Sequence, residues 1–241
     1  MFQPVKDALG EFMVRFHQEL VPSTPAIEKF LALPAVEAIR VAPSRMIDEA
    51  EEMFGKYLRE ENLKQPATRP HFLPVIIVAL AADYTPVGRD FTRQSERRLV
   101  VIPEDPKGRV FGLRALAGDM RMQVAIFAEE DMTARDIAAQ LCLYIDRTDM
   151  RTVKATYSFA GVETKWPVQL ETPEVMASRV PTGAKNLAIL VVDLNFHCTV
   201  PIFDAPKEGE PNDGKGTPGD PTDPAGYPVT VLANVQAEVS K

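Results

Sequence analysis

The sequence is poor in the residues that build cross-links and catalytic centres. Its 241 residues include two cysteines, three histidines and one tryptophan. Two cysteines are too few for a disulfide framework, so we expect Cys142 and Cys198 to be free thiols, buried as small apolar residues in a reducing compartment. No run reaches the roughly 18 apolar residues of a membrane-spanning helix. The first residues, MFQPVKDALGEF, lack the apolar core of a secretory signal, so we expect none.

An excess of positive charge is also missing. The chain has 27 Lys and Arg against 34 Asp and Glu, which gives a net charge of −7. Nucleic-acid binding needs a concentrated positive field, so we do not expect nucleic acid as a general partner. The apolar fraction of 45% and the charged fraction of 25% are ordinary for a folded protein. The composition therefore predicts a globular protein with a sizeable core.

Motifs of catalysis and cofactor binding are absent. The sequence contains no G-x-x-x-x-G-K-[ST], G-x-G-x-x-G, H-E-x-x-H, C-x-x-C or G-x-S-x-G. We therefore predict that the protein is not an enzyme, that it has no catalytic residues, and that it binds no metal or cofactor.

Residues 1–70 have the pattern of a helical extension. Apolar residues recur at spacings of three and four in the first helix, which places them on one face: Val5, Leu9, Phe12, Met13, Phe16 and Leu20. His17 lies on the same segment, and we expect it at the surface or boundary. A short helix is predicted over 26–33 after Pro25, and a longer one over 44–62.

Residues 71–203 have the pattern of an α+β domain. Apolar runs predict strands at 73–81, 99–102 and 122–128, with long polar loops at 82–98 and 103–119. A helix is predicted over 133–146, with Thr133 and Asp136 resembling a capping box. Alternating polarity then predicts a hairpin of 152–159 with 162–170, and a long strand within 186–203. The predicted fold is α+β: N-terminal helices followed by a mostly antiparallel sheet of about six strands, with one packed helix and long extended loops.

Residues 204–241 begin with a segment rich in Pro, Gly and Asp, EGEPNDGKGTPGDPTDPAG. It has almost no apolar residues and cannot fold on its own. The apolar run YPVTVLANV at 227–235 nevertheless has the composition of a strand. We therefore interpret 204–228 as an excursion that lets this last strand dock at a distance, on the same subunit or on a neighbour.

Two groups of polar residues are candidates for function. Asp193, Asn195 and His197 share one face of a predicted strand and could converge on a metal or proton-transfer site, although no distant residue is evident as a further ligand. A solvated sheet face is the simpler explanation of these three residues, and we favour it. The second group is an arginine cluster that could hold phosphates, grip an acidic partner or lie in a solvated loop; Asp90 and Glu96 partly neutralise it. We predict an interface formed by its residues Arg89, Phe91, Arg93, Arg97 and Arg98.

The layout resembles the small adaptor proteins of tailed bacteriophages, which comprise tail terminators, neck proteins and baseplate tube or sheath adaptors. The resemblance lies in the strand PVIIVAL, the loop DYTPVGRDFTR, the strand RMQVAIF, the helix TARDIAAQLCLYI and the paired strands that follow. The helical first seventy residues and the Pro/Gly/Asp-rich excursion are additions to that layout.

The resemblance implies a structural protein of the virion tail, made in the host cytoplasm. Such a protein would form a homo-oligomeric, hexameric ring through loop and strand contacts, and would contact neighbouring tail tube or sheath proteins away from any membrane. Two other functions stay open from the residues alone. One is an enzyme of unrecognised type that uses the face of Asp193, Asn195 and His197, and the other is a module that binds an acidic ligand through its arginine-bearing loop.

Overall fold

The computed structural model describes residues 2–42, 55, 73–81, 85–86, 97–105, 107–159, 161–183, 186–210, 212–216, 222 and 225–226. The helices in these ranges are α1 (Gln3–Glu19), α2 (Pro25–Leu31), α3 (Ala35–Ala38) and α4 (Asp131–Asp146). The strands are β1 (Ile39–Ala42), β2 (Val75–Leu80), β3 (Thr85–Pro86), β4 (Arg98–Val101), β5 (Val110–Ala128), β6 (Thr152–Phe159), β7 (Val162–Leu170), β8 (Ala177–Val180) and β9 (Ala188–Asp204).

The predicted α+β fold class is confirmed. The sheet is mixed and its main path runs β1-β2-β5-β9-β7-β6, with β3 and β4 paired to β5 and β8 paired to β9. β1 lies parallel to β2, whereas β2 and β4 lie antiparallel to β5, and β7 and β8 lie antiparallel to β9. The predicted helix over 44–62, apart from Gly55, and the predicted strand over 227–235 lie outside the described residues.

The chain divides into two compact units. Unit 1 comprises Met1–Pro86, Gly118–Ala155 and Pro167–Cys198, and unit 2 comprises Val87–Ala117, Thr156–Trp166 and Thr199–Lys241. β5, β6, β7 and β9 each contribute residues to both units. The sequence-based divisions at residues 70 and 203 stay predictions, since residues 56–72 are not described.

The core of unit 1 forms where α1 meets α4 and β9. Phe12 is fully buried, with its ring 5.2 Å from the Tyr144 ring and 6.4 Å from the Phe196 ring. The Tyr144 hydroxyl donates to the Phe12 carbonyl at 3.4 Å. The apolar face predicted for α1 is confirmed, since all six of its residues are buried: Val5, Leu9, Phe12, Met13, Phe16 and Leu20.

His17 is buried, contrary to the expectation that it lies at the surface or boundary. Its ring packs edge-on against Phe30 of α2 at 5.1 Å, and its Nε2 lies 3.3 Å from the Phe30 carbonyl oxygen. The apolar spacing of α1 could not reveal this, because the covering residue lies on another helix.

The predicted capping box of α4 is wrong. The helix begins at Asp131, after Glu130, which makes no side-chain cap. Thr133 is buried, and its Oγ1 lies 3.4 Å from the Oγ1 of Thr24, while Asp136 accepts a hydrogen bond from Ser23 at 2.9 Å. Both side chains that suggested a local cap instead hold the segment before α2, where Thr24 itself caps the helix by accepting from the Ile27 amide.

The predicted polar loop over 103–119 is also wrong in its second half. β5 begins at Val110, and residues 110–113 pair with β4. Glycines and charged residues such as Arg114, Asp119 and Arg121 hide the strand signal here. β5 pairs with β4 near its start and with β2 near its end. This pairing stabilises an extended conformation that the composition of the first half of β5 does not favour by itself.

The other strand predictions are confirmed, with changes at the ends. β2 is buried along its whole length. β6 alternates between exposed and buried residues, and β9 buries Val192, Leu194, Phe196, Cys198 and Val200 on one face, as the alternation predicted. β8 is an addition that the sequence did not reveal.

Unit 2 is organised by aromatic rings. The ring of Phe111 lies 5.5 Å from that of Phe159 and 6.4 Å from that of Phe203. Within this unit the excursion contacts β5, where the Val110 amide donates to the Asn212 carbonyl at 3.0 Å. Within the excursion, the Asp213 carboxylate accepts from the backbone amides of Gly209 at 2.7 Å and Lys215 at 2.8 Å, and these bonds stabilise the local conformation of the chain.

Candidate functional site

The predicted arginine interface is described only in part. Arg89, Phe91 and Arg93 lie outside the described residues. Arg97 lies with its Nε 3.7 Å from the Asp204 carboxylate and packs over Gly112, where a Cβ atom would come within 2.1 Å of that nitrogen. Arg98 begins β4 and is exposed. The charge of Arg97 therefore has a partner inside unit 2, and the interface stays a prediction.

A cluster of metal-ligating side chains lies on the sheet of unit 1. We call Asp119, Glu171 and His197 the carboxylate–histidine cluster; they come from β5, from the residue after β7, and from β9. β5 neighbours β9 in the sheet, and Leu170 at the end of β7 pairs with Phe196 of β9. The next residue along the chain, Glu171, therefore lies opposite Asn195 and diagonally across from His197.

The alternation of the strands turns these side chains away from the core. Met120 and Met122 of β5 are buried, so Asp119 and Arg121 point to the opposite face. Phe196 and Cys198 are buried in the same way, so His197 points outward. Strand periodicity thus brings polar groups from neighbouring strands to one surface.

The distances within the cluster are short. His197 Nδ1 lies 3.1 Å from Asp119 Oδ1 and 3.9 Å from Glu171 Oε1. One ligand atom from each residue lies within 4.8 Å of the other two. The side chains are 25%, 28% and 38% exposed for His197, Asp119 and Glu171, so the cluster faces solvent while its backbone belongs to the sheet.

Backbone hydrogen bonds hold the Glu171 end of the cluster. The Glu171 amide donates to the Asn195 carbonyl at 2.8 Å, and the Asn195 amide donates to Thr172 Oγ1 at 2.8 Å. These bonds continue the pairing of β7 with β9 past the last strand residue. The position of Glu171 beside β9 is therefore set by the main chain.

The site differs from the sequence-based candidate. Of Asp193, Asn195 and His197, only His197 joins the cluster, while Asp193 forms an ion pair with Arg121 at 3.0 Å. No further ligand is evident from the sequence, whereas the structure brings two distant carboxylates, those of Asp119 and Glu171, close to His197. The sequence predicts a loop at Asp119, and a loop has no periodicity from which to infer the face of a side chain.

The two cysteines differ in environment. Cys198 is buried on the face opposite His197, as predicted, and its thiol donates to the Gly118 carbonyl at 3.3 Å. Burial and the negative charge of Asp119 raise the pKa of the Cys198 thiol to about 11. Cys142 is only half-buried, contrary to the expectation of a core residue, and desolvation raises the pKa of its thiol. Neither thiol has the depressed pKa of a reactive nucleophile.

Short strands lie at two edges of the unit 1 sheet. β1 lies beyond β2, and β8 lies on β9, with β5 between these partners. Val41 of β1 is 68% exposed, and Met176, directly before β8, is 72% exposed. The β1 edge therefore presents an apolar side chain beside its backbone, whereas β8 itself exposes Ser178 and Arg179 next to Met176.

An open groove of about 340 Å³ lies beside β8. Its lining includes Ala138, Ala139 and Cys142 of α4, Ala177 of β8 and Leu190 of β9. Met132 and Leu143 of α4 lie on nearly the same helix face as Ala139 and are about 70% exposed. The β8 edge thus adjoins an exposed apolar stripe on α4.

No protein-family model matches this chain, and no curated protein matches its sequence. Among the described residues, the helices are too short or too polar to cross a bilayer.

Proposed function

We propose that this chain is a structural assembly protein of a bacteriophage tail, acting as a tail terminator, neck protein or baseplate tube or sheath adaptor. Its copies join head to tail in a closed ring. The observation that carries the self-assembly is the pair of short edge strands, β1 and β8, at different edges of one sheet. The tail assignment itself is supported by the resemblance in layout.

An edge strand has unpaired backbone groups on its outer side. Within the described part of the chain, β1 pairs only with β2, and β8 pairs only with β9. Natural proteins protect such edges with charge, proline or a covering segment, and otherwise use them to add a strand from a partner. Val41 on β1 is apolar and exposed, which suits contact with a partner.

The two edges suit a head-to-tail contact because they differ. A two-fold dimer would place the same surface on both sides of its interface, whereas a ring joins one surface to a different one on the next copy. β1 of one copy placed against β8 of the next would extend the sheet from subunit to subunit. The exposed side chains near β1, Val36 and Val41, would then cover Met176 and the stripe formed by Met132 and Leu143.

Native mass spectrometry at micromolar concentration tests the assembly. We expect one discrete ring-sized oligomer, such as a hexamer, and electron microscopy of the same sample should show closed rings. A wild-type protein that stays monomeric would overturn assembly by the free chain.

Two variants test the head-to-tail geometry. Val41→Lys should disable the β1 edge and Met176→Lys the β8 edge, so each alone should be monomeric, because a charge would be buried without a partner. Mixed in equal amounts, the two variants should form a heterodimer, because the intact β1 edge of Met176→Lys can meet the intact β8 edge of Val41→Lys. No ring should form, because the other two edges of that pair are disabled. Val21→Lys is the matched control: its side chain is 63% exposed, and Val21 lies in the connection between α1 and α2, with its backbone bound to the Gln140 side chain.

The Val21→Lys control also shows which results would contradict a contact between β1 and β8. If Val21→Lys dissociates the oligomer as strongly as Val41→Lys, added charge alone explains the loss and the edges have no special role. If the two edge variants fail to form a heterodimer while each is folded by circular dichroism, the contact does not join β1 to β8.

A further inference from the structure

We propose that the carboxylate–histidine cluster binds one divalent first-row transition metal ion. This proposal concerns residues apart from the two edge strands and does not depend on ring formation. The ligands are the carboxylates of Asp119 and Glu171 and the imidazole of His197.

The donor set selects the class of ion. One imidazole nitrogen with two carboxylate oxygens suits Zn²⁺, Mn²⁺ or Fe²⁺. Mg²⁺ and Ca²⁺ instead prefer sites made wholly of oxygen ligands. Sulfur is excluded from this set by geometry, since Cys198 lies on the buried side of β9 and its thiol binds the Gly118 carbonyl.

The separations of the ligand atoms fit a shared ion. Metal–ligand bonds of about 2.0–2.2 Å place neighbouring ligand atoms of one ion roughly 3.0–3.6 Å apart. The Asp119–His197 separation of 3.1 Å falls in this range, and the Glu171–His197 separation of 3.9 Å lies just outside it. A small rotation of the Glu171 side chain closes that difference, because its backbone is held while its end faces solvent.

The charges of the cluster favour a cation between its members. Two carboxylates approach the same imidazole nitrogen, and a proton on that nitrogen can satisfy only the closer one. Carboxylates brought close together repel each other unless positive charge lies between them. The Arg121 guanidinium lies on the Asp119 face, where it pairs with the Asp193 carboxylate at 3.0 Å. A bound divalent ion would satisfy all three members of the cluster.

The number of protein ligands leaves a coordination position of the ion open. Three protein ligands leave at least one coordination position of a tetrahedral ion to water, which is the open arrangement of a site that can accept a further ligand. Because the ligands come from three separate chain segments, the ion would also tie β5, β7 and β9 together on this face.

Calorimetric titration of the full-length, metal-free protein with Zn²⁺ tests the site. We expect one Zn²⁺ per chain and no comparable binding of Mg²⁺. His197→Gln and Asp119→Asn should each weaken Zn²⁺ binding by about tenfold or more. Asp193→Asn is the matched control, because Asp193 is a carboxylate on the same face of β9 that pairs with Arg121, and it should leave the affinity unchanged.

X-ray absorption of the zinc-loaded wild-type protein provides a test without a substitution. We expect a shell of nitrogen and oxygen ligands that includes one imidazole and no sulfur. A sulfur ligand would overturn the site, as would a wild-type dissociation constant weaker than about 1 mM. Equal Zn²⁺ affinity in the wild type and in a folded His197→Gln variant would also overturn it.

Discussion

Asp105 shows at the residue scale how one carboxylate organises a connection between strands. It lies between β4 and β5 with its side chain fully buried. Its carboxylate accepts from Arg109 Nε at 2.9 Å and Nη2 at 3.0 Å, and also from the backbone amides of Lys107 and Arg109. The hydrogen bonds from Arg109 lower the pKa of Asp105 to about 2, against the opposing effect of burial. The same guanidinium lies 5.1 Å from the centre of the Phe111 ring, which links the pair to the core of unit 2.

Replacing Asp105 should produce a stability loss that depends on pH. Because the pKa in the folded protein is below the ordinary value of 3.8, the stabilisation is present above that value and is lost as the pH falls towards 2. The shift corresponds to about 2 kcal/mol of unfolding free energy at pH 7. We expect Asp105→Asn to lower the stability by about that amount at pH 7, and by much less near pH 2.5, as measured by urea unfolding at both pH values.

The control for this prediction is Asp149→Asn. Asp149 also pairs with an arginine, Arg147, but both side chains are largely exposed, so solvent screens the pair and little change is expected. An equal loss for Asp105→Asn at pH 7 and near pH 2.5 would show that the effect comes from packing and not from the ionised pair.

At the element scale, the stability of unit 1 depends on the docking of α1. The helix begins with Pro4 in its first turn and carries no acidic residue there, so its ends contribute little beyond the main-chain bonds. Its buried face instead packs against aromatic rings of α4 and β9. Tertiary packing therefore holds this helix in place, as is usual for amphipathic helices.

We expect Phe12→Ala to lower the free energy of unfolding by about 3–5 kcal/mol, because it leaves a cavity between Tyr144 and Phe196. Thermal or urea unfolding followed by circular dichroism measures the loss. Val21→Ala removes an apolar side chain that is already in solvent and should change the stability by less than about 0.5 kcal/mol. A loss below about 1 kcal/mol for Phe12→Ala would contradict the docking of α1 on this core.

At the scale of the whole molecule, the proposed assembly and the proposed metal site use different residues. The edges are β1 and β8, while the cluster lies on β5, β9 and the residue after β7. Substitutions at sites that share no partners act nearly independently. We therefore expect His197→Gln to keep the wild-type native mass, and Val41→Lys to keep the wild-type Zn²⁺ affinity.

Both quantities are measured on the same preparations, by native mass spectrometry and by calorimetry. Loss of the oligomer in His197→Gln, or loss of Zn²⁺ binding in Val41→Lys, would show that the two properties are coupled through the fold. If the wild-type protein lacks only the oligomer or only the Zn²⁺ binding, the other proposal keeps its support, because it depends on different residues.

Local periodicity is sufficient to predict a helix or strand that has one buried face. Periodicity predicts the helix face from Val5 to Leu20 and the alternation of β6 and β9, whereas a short apolar run predicts the buried strand β2. The α+β class follows from these elements. In each case the burial of apolar side chains dominates the free energy, and its spacing along the chain is visible without knowing the partner.

Contacts between segments that are distant in sequence determine which polar residues meet. Thr133 and Asp136 look like a local cap but contact Thr24 and Ser23, more than 100 residues away in sequence. Asp119 and Glu171 lie close to His197 because β5 and β7 both pair with β9. The sequence does not show this, because the first half of β5 has the composition of a loop. Hydrogen bonds and ion pairs act over a few ångströms and leave no periodic trace in the sequence. The core can therefore be predicted from the residue pattern, whereas the edges and the candidate site depend on strand pairing.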